Sequence, residues 1–322
     1  MKDNRNQNLI TSKEATFIYG LSLVAMLVLS LIAGALPEGN AQVLASYACA
    51  QIAFLIVPLI YLKTKKIPLS LALPAENKLK VIPLILLAPI TIGAFMQNTL
   101  LAVAFNWLME AIGLTPSVSI PSLDGAGNII LAILVVAVMP AIGEEIMYRG
   151  VMLSAHTDKG LFNACLLSGI IFSLSHFNPA QLVHQFILGV ILAFLVASTG
   201  NIWYAIITHF INNLLALFVG EIIPQYNTLA TLNTTNALIL IALCIVGAVV
   251  LIPSLIAFMK FGAKEALKVK RNNLFLLPLK DKAPSWHFNL QKVKGVDYYL
   301  VGLISFMVIL SILTALTPLM TA

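Results

Sequence analysis

Residues 137–153 read AVMPAIGEEIMYRGVML. Two adjacent glutamates and an arginine stand inside an otherwise apolar run, and such residues are among the costliest to place in lipid. The rest of the chain decides that the run is a membrane span. Of 322 residues, 60% are hydrophobic and only 10% charged, and the mean hydropathy is +0.96. Soluble domains carry about 25% charged residues. The fold class is therefore all-α, a polytopic transmembrane helix bundle of eight or nine spans with a polar cavity inside the membrane.

A spanning helix needs roughly 20 apolar residues. Nine stretches qualify: 16–36, 43–62, 81–110, 128–154, 161–177, 184–199, 201–220, 235–259 and 297–319. Pro83 and Pro89 are expected to break or tilt the third. The first apolar run is too long for a signal-peptide core and reads as a retained helix. Cys49, Cys165 and Cys244 lie in apolar runs without CxxC spacing, so they read as core residues rather than a disulfide or zinc framework.

The net charge of +6 does not point to nucleic acid, because its distribution follows the positive-inside rule. With the N-terminus in the cytoplasm, segments 1–15, 63–80, 155–160, 200 and 260–294 hold eighteen of the nineteen Lys and Arg residues. The remaining one is Arg149, and loops 37–42, 114–127, 178–183 and 221–234 hold none. This pattern predicts an integral membrane protein with a cytoplasmic N-terminus, and it fits a bacterial inner membrane. The segment 260–294 reads as a basic cytoplasmic loop that can also meet anionic lipid.

Ionisable and amide side chains inside spans mark candidate functional positions. Glu145 and Arg149 are four apart, share a helical face and can pair. Glu144 is turned about 100° away and is free to face a cavity. Phe172 and His176 repeat the four-residue spacing, as do His209 and Asn213. His156, His184 and His287 read as solvated or interfacial. Counted at 1.5 Å per residue, Glu144 lies roughly 16 Å from the cytoplasmic edge, and His209 and Asn213 lie roughly 12 and 18 Å in. His176 is deeper, at roughly 24 Å. A carboxylate, two imidazoles and an amide thus converge near mid-membrane. Such a set can take a proton from water and stabilise an oxyanion. Two histidines and a glutamate can also hold zinc. HExxH and GxSxG are both absent, which removes the usual zincin and serine-hydrolase arrangements.

EExxxR at Glu144–Arg149, FxxxH at Phe172–His176 and HxxxN at His209–Asn213, in this order on hydrophobic spans, resemble the CPBP family. This is the CAAX-protease and bacteriocin-processing group, also called Abi. The resemblance implies an intramembrane endopeptidase acting on a membrane-associated or lipid-modified peptide. Glu144 and His176 would activate water, His209 and Asn213 would hold the oxyanion, and Glu145, Arg149 and Phe172 would support them. It leaves the cofactor open between none and zinc, with Glu144, His176 and His209 as the ligands if a metal is used. The implied organisation is N-terminal helices over 1–127, a catalytic core over 128–220 and C-terminal helices with the basic loop over 221–322. The implied partners are membrane lipid and a peptide or membrane-protein substrate. Two other readings compete. One is a non-catalytic bacteriocin-immunity or scaffold protein of the same fold. The other is a proton-coupled transporter, which internal repeats would favour; no repeat is evident.

Overall fold

In the computed structural model the described residues are 10–67, 69, 73–75, 78–114, 119–157, 160–220, 233–268 and 297–320. Among them are nine principal helices and no strand. They are α1 (Ser12–Gly34), α2 (Asn40–Thr64), α3 (Val81–Ala111), α4 (Gly125–Ala155), α5 (Leu161–Leu174), α6 (Leu182–Thr199), α7 (Trp203–Gly220), α8 (Thr234–Lys268) and α9 (Tyr298–Met320). By length and composition α1, α2, α3, α4, α6 with its leading turn, and α8 can each cross a membrane. The apolar parts of α5, α7 and α9 are shorter. The expected all-α bundle is what the chain forms, because in lipid every backbone group must be satisfied within its own segment.

Each helix end has a local cause. Thr11 and Glu14 form a reciprocal cap at the start of α1: the Glu14 N–H donates to Thr11 Oγ1 at 3.2 Å and the Thr11 N–H to Glu14 Oε2 at 2.9 Å. Gly200, at φ 63°, ends α6 in the left-handed conformation that glycine tolerates. Neither proline breaks α3. Pro83 stands in its first turn, where no N–H is needed, and Pro89 lies within a continuous 31-residue helix. Such a helix is about 46 Å long, more than the roughly 30 Å of bilayer hydrocarbon, so it tilts or projects. The basic segment expected from residue 260 begins as helix, since α8 runs to Lys268. The remainder of that loop lies outside the described residues.

Side chains divide into lipid-facing stripes and two cores. On α8, Leu238, Ile241, Ile245, Val249, Ile252 and Ile256 are all exposed. Their spacing of three and four residues paints one face of the helix with apolar surface. The first core joins α1, α2, α4, α5 and α9 through Tyr19, Phe54, Tyr148, Phe172 and Met307. The second joins α3, α6, α7 and α8 through Leu87, Ile90, Leu192, Tyr204 and Phe258. Helix α4 contributes Met147 and Tyr148 to the first and Ile146 and Leu153 to the second. It therefore runs along the seam, and its polar residues sit between the two cores. Cys165 is buried as expected, whereas Cys49 and Cys244 are only half-buried.

Helices α3 and α8 approach backbone to backbone. A Cβ added at Gly93 would stand 2.8 Å from Leu251 Cβ and 2.9 Å from the Gly247 oxygen. Gly93→Ala is expected to lower stability by about 1–3 kcal/mol through overpacking. Gly20→Ala, with nothing within 4 Å of the new atom, is expected to hold or raise it by up to ~1 kcal/mol. Apparent melting midpoints of the two variants in one detergent decide the point; equal midpoints would refute the close approach.

Candidate active site

The polar residues of α4 occupy a helix that is not purely α. Two π segments interrupt it, Ile133–Val138 and Ile146–Met152, flanking the α turns that carry Glu144 and Glu145. π turns leave backbone groups poorly matched and concentrate at functional positions. Here neighbouring helices add donors of their own. Pro140 has no N–H to offer the Val136 carbonyl four residues back. Asn213 of α7 donates to that carbonyl through Nδ2 at 3.1 Å. Ser168 of α5 donates a second bond to the Tyr148 carbonyl at 3.1 Å, beside the one from the Leu153 N–H.

Glu145 and Arg149 are both completely buried and joined, Arg149 Nη1 donating to Glu145 Oε1 at 2.7 Å. The second guanidinium nitrogen, Nη2, donates to the Gly189 carbonyl of α6 at 2.7 Å. The guanidinium also lies over the Phe172 ring, 4.8 Å from its centroid. Gly189 is the residue that permits this packing, because a Cβ there would meet Gly169 Cα at 2.9 Å and the Phe172 ring at 3.0 Å. So the arginine is desolvated but neutralised, bonded and stacked, which is what a buried charge needs.

His209 joins this group from α7. Its Nδ1 stands 2.8 Å from Glu145 Oε1. A carboxylate that already takes a bond from Arg149 is an acceptor, so Nδ1 carries the hydrogen. Nε2 then faces Glu144, 3.8 Å from Oε2, beyond direct hydrogen-bonding distance. Glu144 itself is held from the N-terminal side of the chain. Gln51 of α2 donates through Nε2 to Glu144 Oε1 at 2.7 Å. Helix α2 reaches this depth because residue 143 is glycine: a Cβ there would stand 3.0 Å from the Gln51 carbonyl oxygen.

His176 lies just past the end of α5, not within it, since the helix closes at Leu174. Its spacing to Phe172 is used nonetheless, with Nδ1 donating to the Phe172 carbonyl at 2.9 Å. The ring thereby presents Nε2 as its lone-pair atom. Phe172 meets both imidazoles edge to face, His176 at 5.1 Å and His209 at 5.7 Å between centroids. The turn beyond His176 is strained, with Phe177 at φ 48°. Thr314 of α9 holds it by donating to the Phe177 carbonyl at 2.7 Å.

The sequence led us to expect Glu144, His176, His209 and Asn213 to converge, supported by Glu145, Arg149 and Phe172; the structure brings Glu144, Glu145, Arg149 and His209 into one cluster and packs Phe172 against Arg149, His176 and His209. Asn213 is on the same helix, but its described bonds go to Val136 and to Asn212. Gln51 was missed. His156, expected to be solvated, is buried at 1% exposure and donates through Nδ1 to the Met152 carbonyl at 2.8 Å. His156 caps the end of α4, and its ring turns back onto the last turn of that helix. His184 is half-buried on α6, and His287 lies outside the described residues. Among the described residues no three His, Cys, Asp or Glu side chains are arranged to hold a metal ion.

These features define a class: an integral membrane helix bundle with a carboxylate–imidazole cluster buried between α4, α5 and α7. Residues 126–215 match the family described as type II CAAX prenyl endopeptidase Rce1-like. The matched segment contains Glu144, Glu145, Arg149, Phe172, His176, His209 and Asn213, and it excludes Gln51. A protein of Bacillus subtilis (strain 168) named "Putative membrane peptidase YdiL" is 31% identical over 119 residues, 37% of this chain and 48% of that protein. The chain thus spans about half the length of the curated relative it matches. No solved structure matches it.

Proposed function

We propose that the chain is an intramembrane endopeptidase that hydrolyses a peptide bond of a membrane-associated or lipid-modified substrate, with Glu144 and His176 activating water. The observation that carries this reading is the division of labour between two adjacent carboxylates. Glu145 is fully buried and committed to Arg149 and His209. Glu144 keeps 7% exposure and stands 3.8 Å from His209 Nε2. One carboxylate braces the site while its neighbour is available for chemistry.

In this mechanism Glu144, assisted by His176 Nε2, takes a proton from water as its oxygen adds to the scissile carbonyl carbon. The tetrahedral oxyanion forms beside His209 and Asn213. With the His209 Nδ1 hydrogen given to Glu145, donation from Nε2 requires the imidazolium form. The carbon–nitrogen bond then breaks, and the proton held by Glu144 passes to the leaving amine. The distribution of Lys and Arg supports a cytoplasmic N-terminus and fits a bacterial inner membrane. The test compares new peptide termini in membranes from cells carrying the wild type and Glu144→Ala at equal expression. Termini seen only with the wild type support the peptidase and supply its substrate. No difference, with both proteins folded, would sink it.

Gln51 serves this site as a positioning residue. Gln51→Leu removes the donor that orients Glu144 Oε1. It is expected to lower kcat about tenfold with KM unchanged, because a substrate-independent contact inside the enzyme is lost. A rise in KM with kcat retained would show that Gln51 only shapes the helix packing.

A further inference from the structure

We propose that substrate reaches Glu144 through a polar cleft on the face of the bundle opposite the basic loops, and that the cleft takes an uncharged, extended peptide segment presented from outside the cytoplasm. The proposal rests on the peptidase reading and adds the side of entry and the kind of segment admitted.

The cleft has a volume of about 330 Å³, within the usual range for ligand sites. Its walls are the first turns of α2, with Gln42, Ser46 and Tyr47, the segment before α4 at Ser119, and the α5–α6 turn at Asn178. His176 lines it as well. The cleft therefore touches a residue of the candidate active site. Gln51, which holds Glu144, stands one helical turn beyond Tyr47 on α2, roughly 6 Å deeper.

The lining chemistry selects the ligand. Apart from His176, no lining side chain carries a charge near neutral pH, so nothing there would neutralise a charged segment taken out of water. Hydroxyls and amides offer both donors and acceptors, which is what an extended backbone with unpaired N–H and C=O groups requires. The rim is tied in place. Tyr47 donates across it to the Ser119 carbonyl at 3.2 Å. Asn40, at the start of α2, accepts from the Ser122 N–H at 2.8 Å and donates to Asn128 Oδ1 at 3.1 Å.

The charge pattern assigns the side. The rim lies at the start of α2, just before α4 and just after α5. Lys63, Lys65 and Lys66 lie at the far end of α2, and Lys159 lies just after α4, before α5. Loops on the rim side, 37–42, 114–127 and 178–183, carry no Lys or Arg. By the positive-inside rule the rim is extracytoplasmic.

The experiment reads topology and cleavage separately. In a chain whose three cysteines are alanine, Gln42→Cys and Lys65→Cys are exposed to a membrane-impermeant sulfonated maleimide, in intact spheroplasts and after permeabilisation. Gln42→Cys is expected to react in both states and Lys65→Cys only after permeabilisation. The reverse pattern overturns the proposal and leaves the peptidase reading intact. Glu144-dependent termini are expected to fall in uncharged segments outside the cytoplasm. Ser46→Trp, which fills the cleft from its wall, is expected to reduce those termini at least tenfold while Gln42→Cys labelling in the same chain persists. Cytoplasmic termini, or undiminished cleavage with tryptophan at position 46, would overturn it. Absence of any Glu144-dependent terminus removes the peptidase reading, and this proposal with it.

Discussion

Glu144→Gln is expected to slow cleavage by about 10²–10⁴-fold, the range for loss of a positioned general base, while the protein folds and accumulates normally. The amide keeps the size of the carboxylate and still offers an oxygen to Gln51, whose bond to Oε1 measures 2.7 Å. What it loses is the ability to take a proton. The adjacent Glu145→Gln behaves differently, because Glu145 Oε1 holds both Arg149 and His209. That change is expected to reduce folded protein as well as cleavage. The check pairs two measurements for each variant: folded yield in detergent, and the rate on a peptide identified from wild-type-dependent termini. Full activity in Glu144→Gln would remove the carboxylate from the chemistry. Equal losses of fold in both variants would remove the distinction between the two glutamates.

That distinction was legible in the sequence because helical geometry alone separates neighbours by about 100°. Spacing likewise predicted the Glu145–Arg149 pair. Nine apolar runs became nine helices, since length and hydropathy determine a span almost without reference to its neighbours. Other features depend on what packs against what. Gln51 was a visible anomaly, an amide in the middle of the second apolar run, but nothing in the sequence paired it with residue 144, 93 positions away. The π segments of α4 carry no composition signal that separates them from α-helix. Pro140 marked a missing donor at Val136, yet only the packing of α7 shows that Asn213 fills it. The depth count left His176 too far from Glu144. The structure closes part of that gap by ending α5 at Leu174 and folding the ring back onto the Phe172 carbonyl. Helix α9 had no predicted role, and the structure gives it one in bracing the Phe177 turn beside His176.

Arg149→Met is expected to cost about 3–5 kcal/mol, the usual result of removing one member of a buried pair, and to leave little folded protein. The side chain has no exposure, nor does Glu145, so the carboxylate would remain as an uncompensated charge in the low-dielectric interior. It would also leave the Gly189 carbonyl without its guanidinium donor and Phe172 without the cation above its ring. Adding Glu145→Leu to Arg149→Met replaces the pair with apolar groups of similar reach. Such swaps are often neutral for stability, so folded yield in detergent is expected to recover substantially. Cleavage is not expected to recover with it, because His209 Nδ1 loses the acceptor that sets which ring nitrogen faces Glu144. The double variant therefore separates two roles that any single substitution confounds: the pair as an internal brace, and Glu145 as the group that orients a histidine. Recovery of both stability and cleavage would show that the pair is only a brace. Recovery of neither would place the whole requirement in the polar bonds that Arg149 makes to α6.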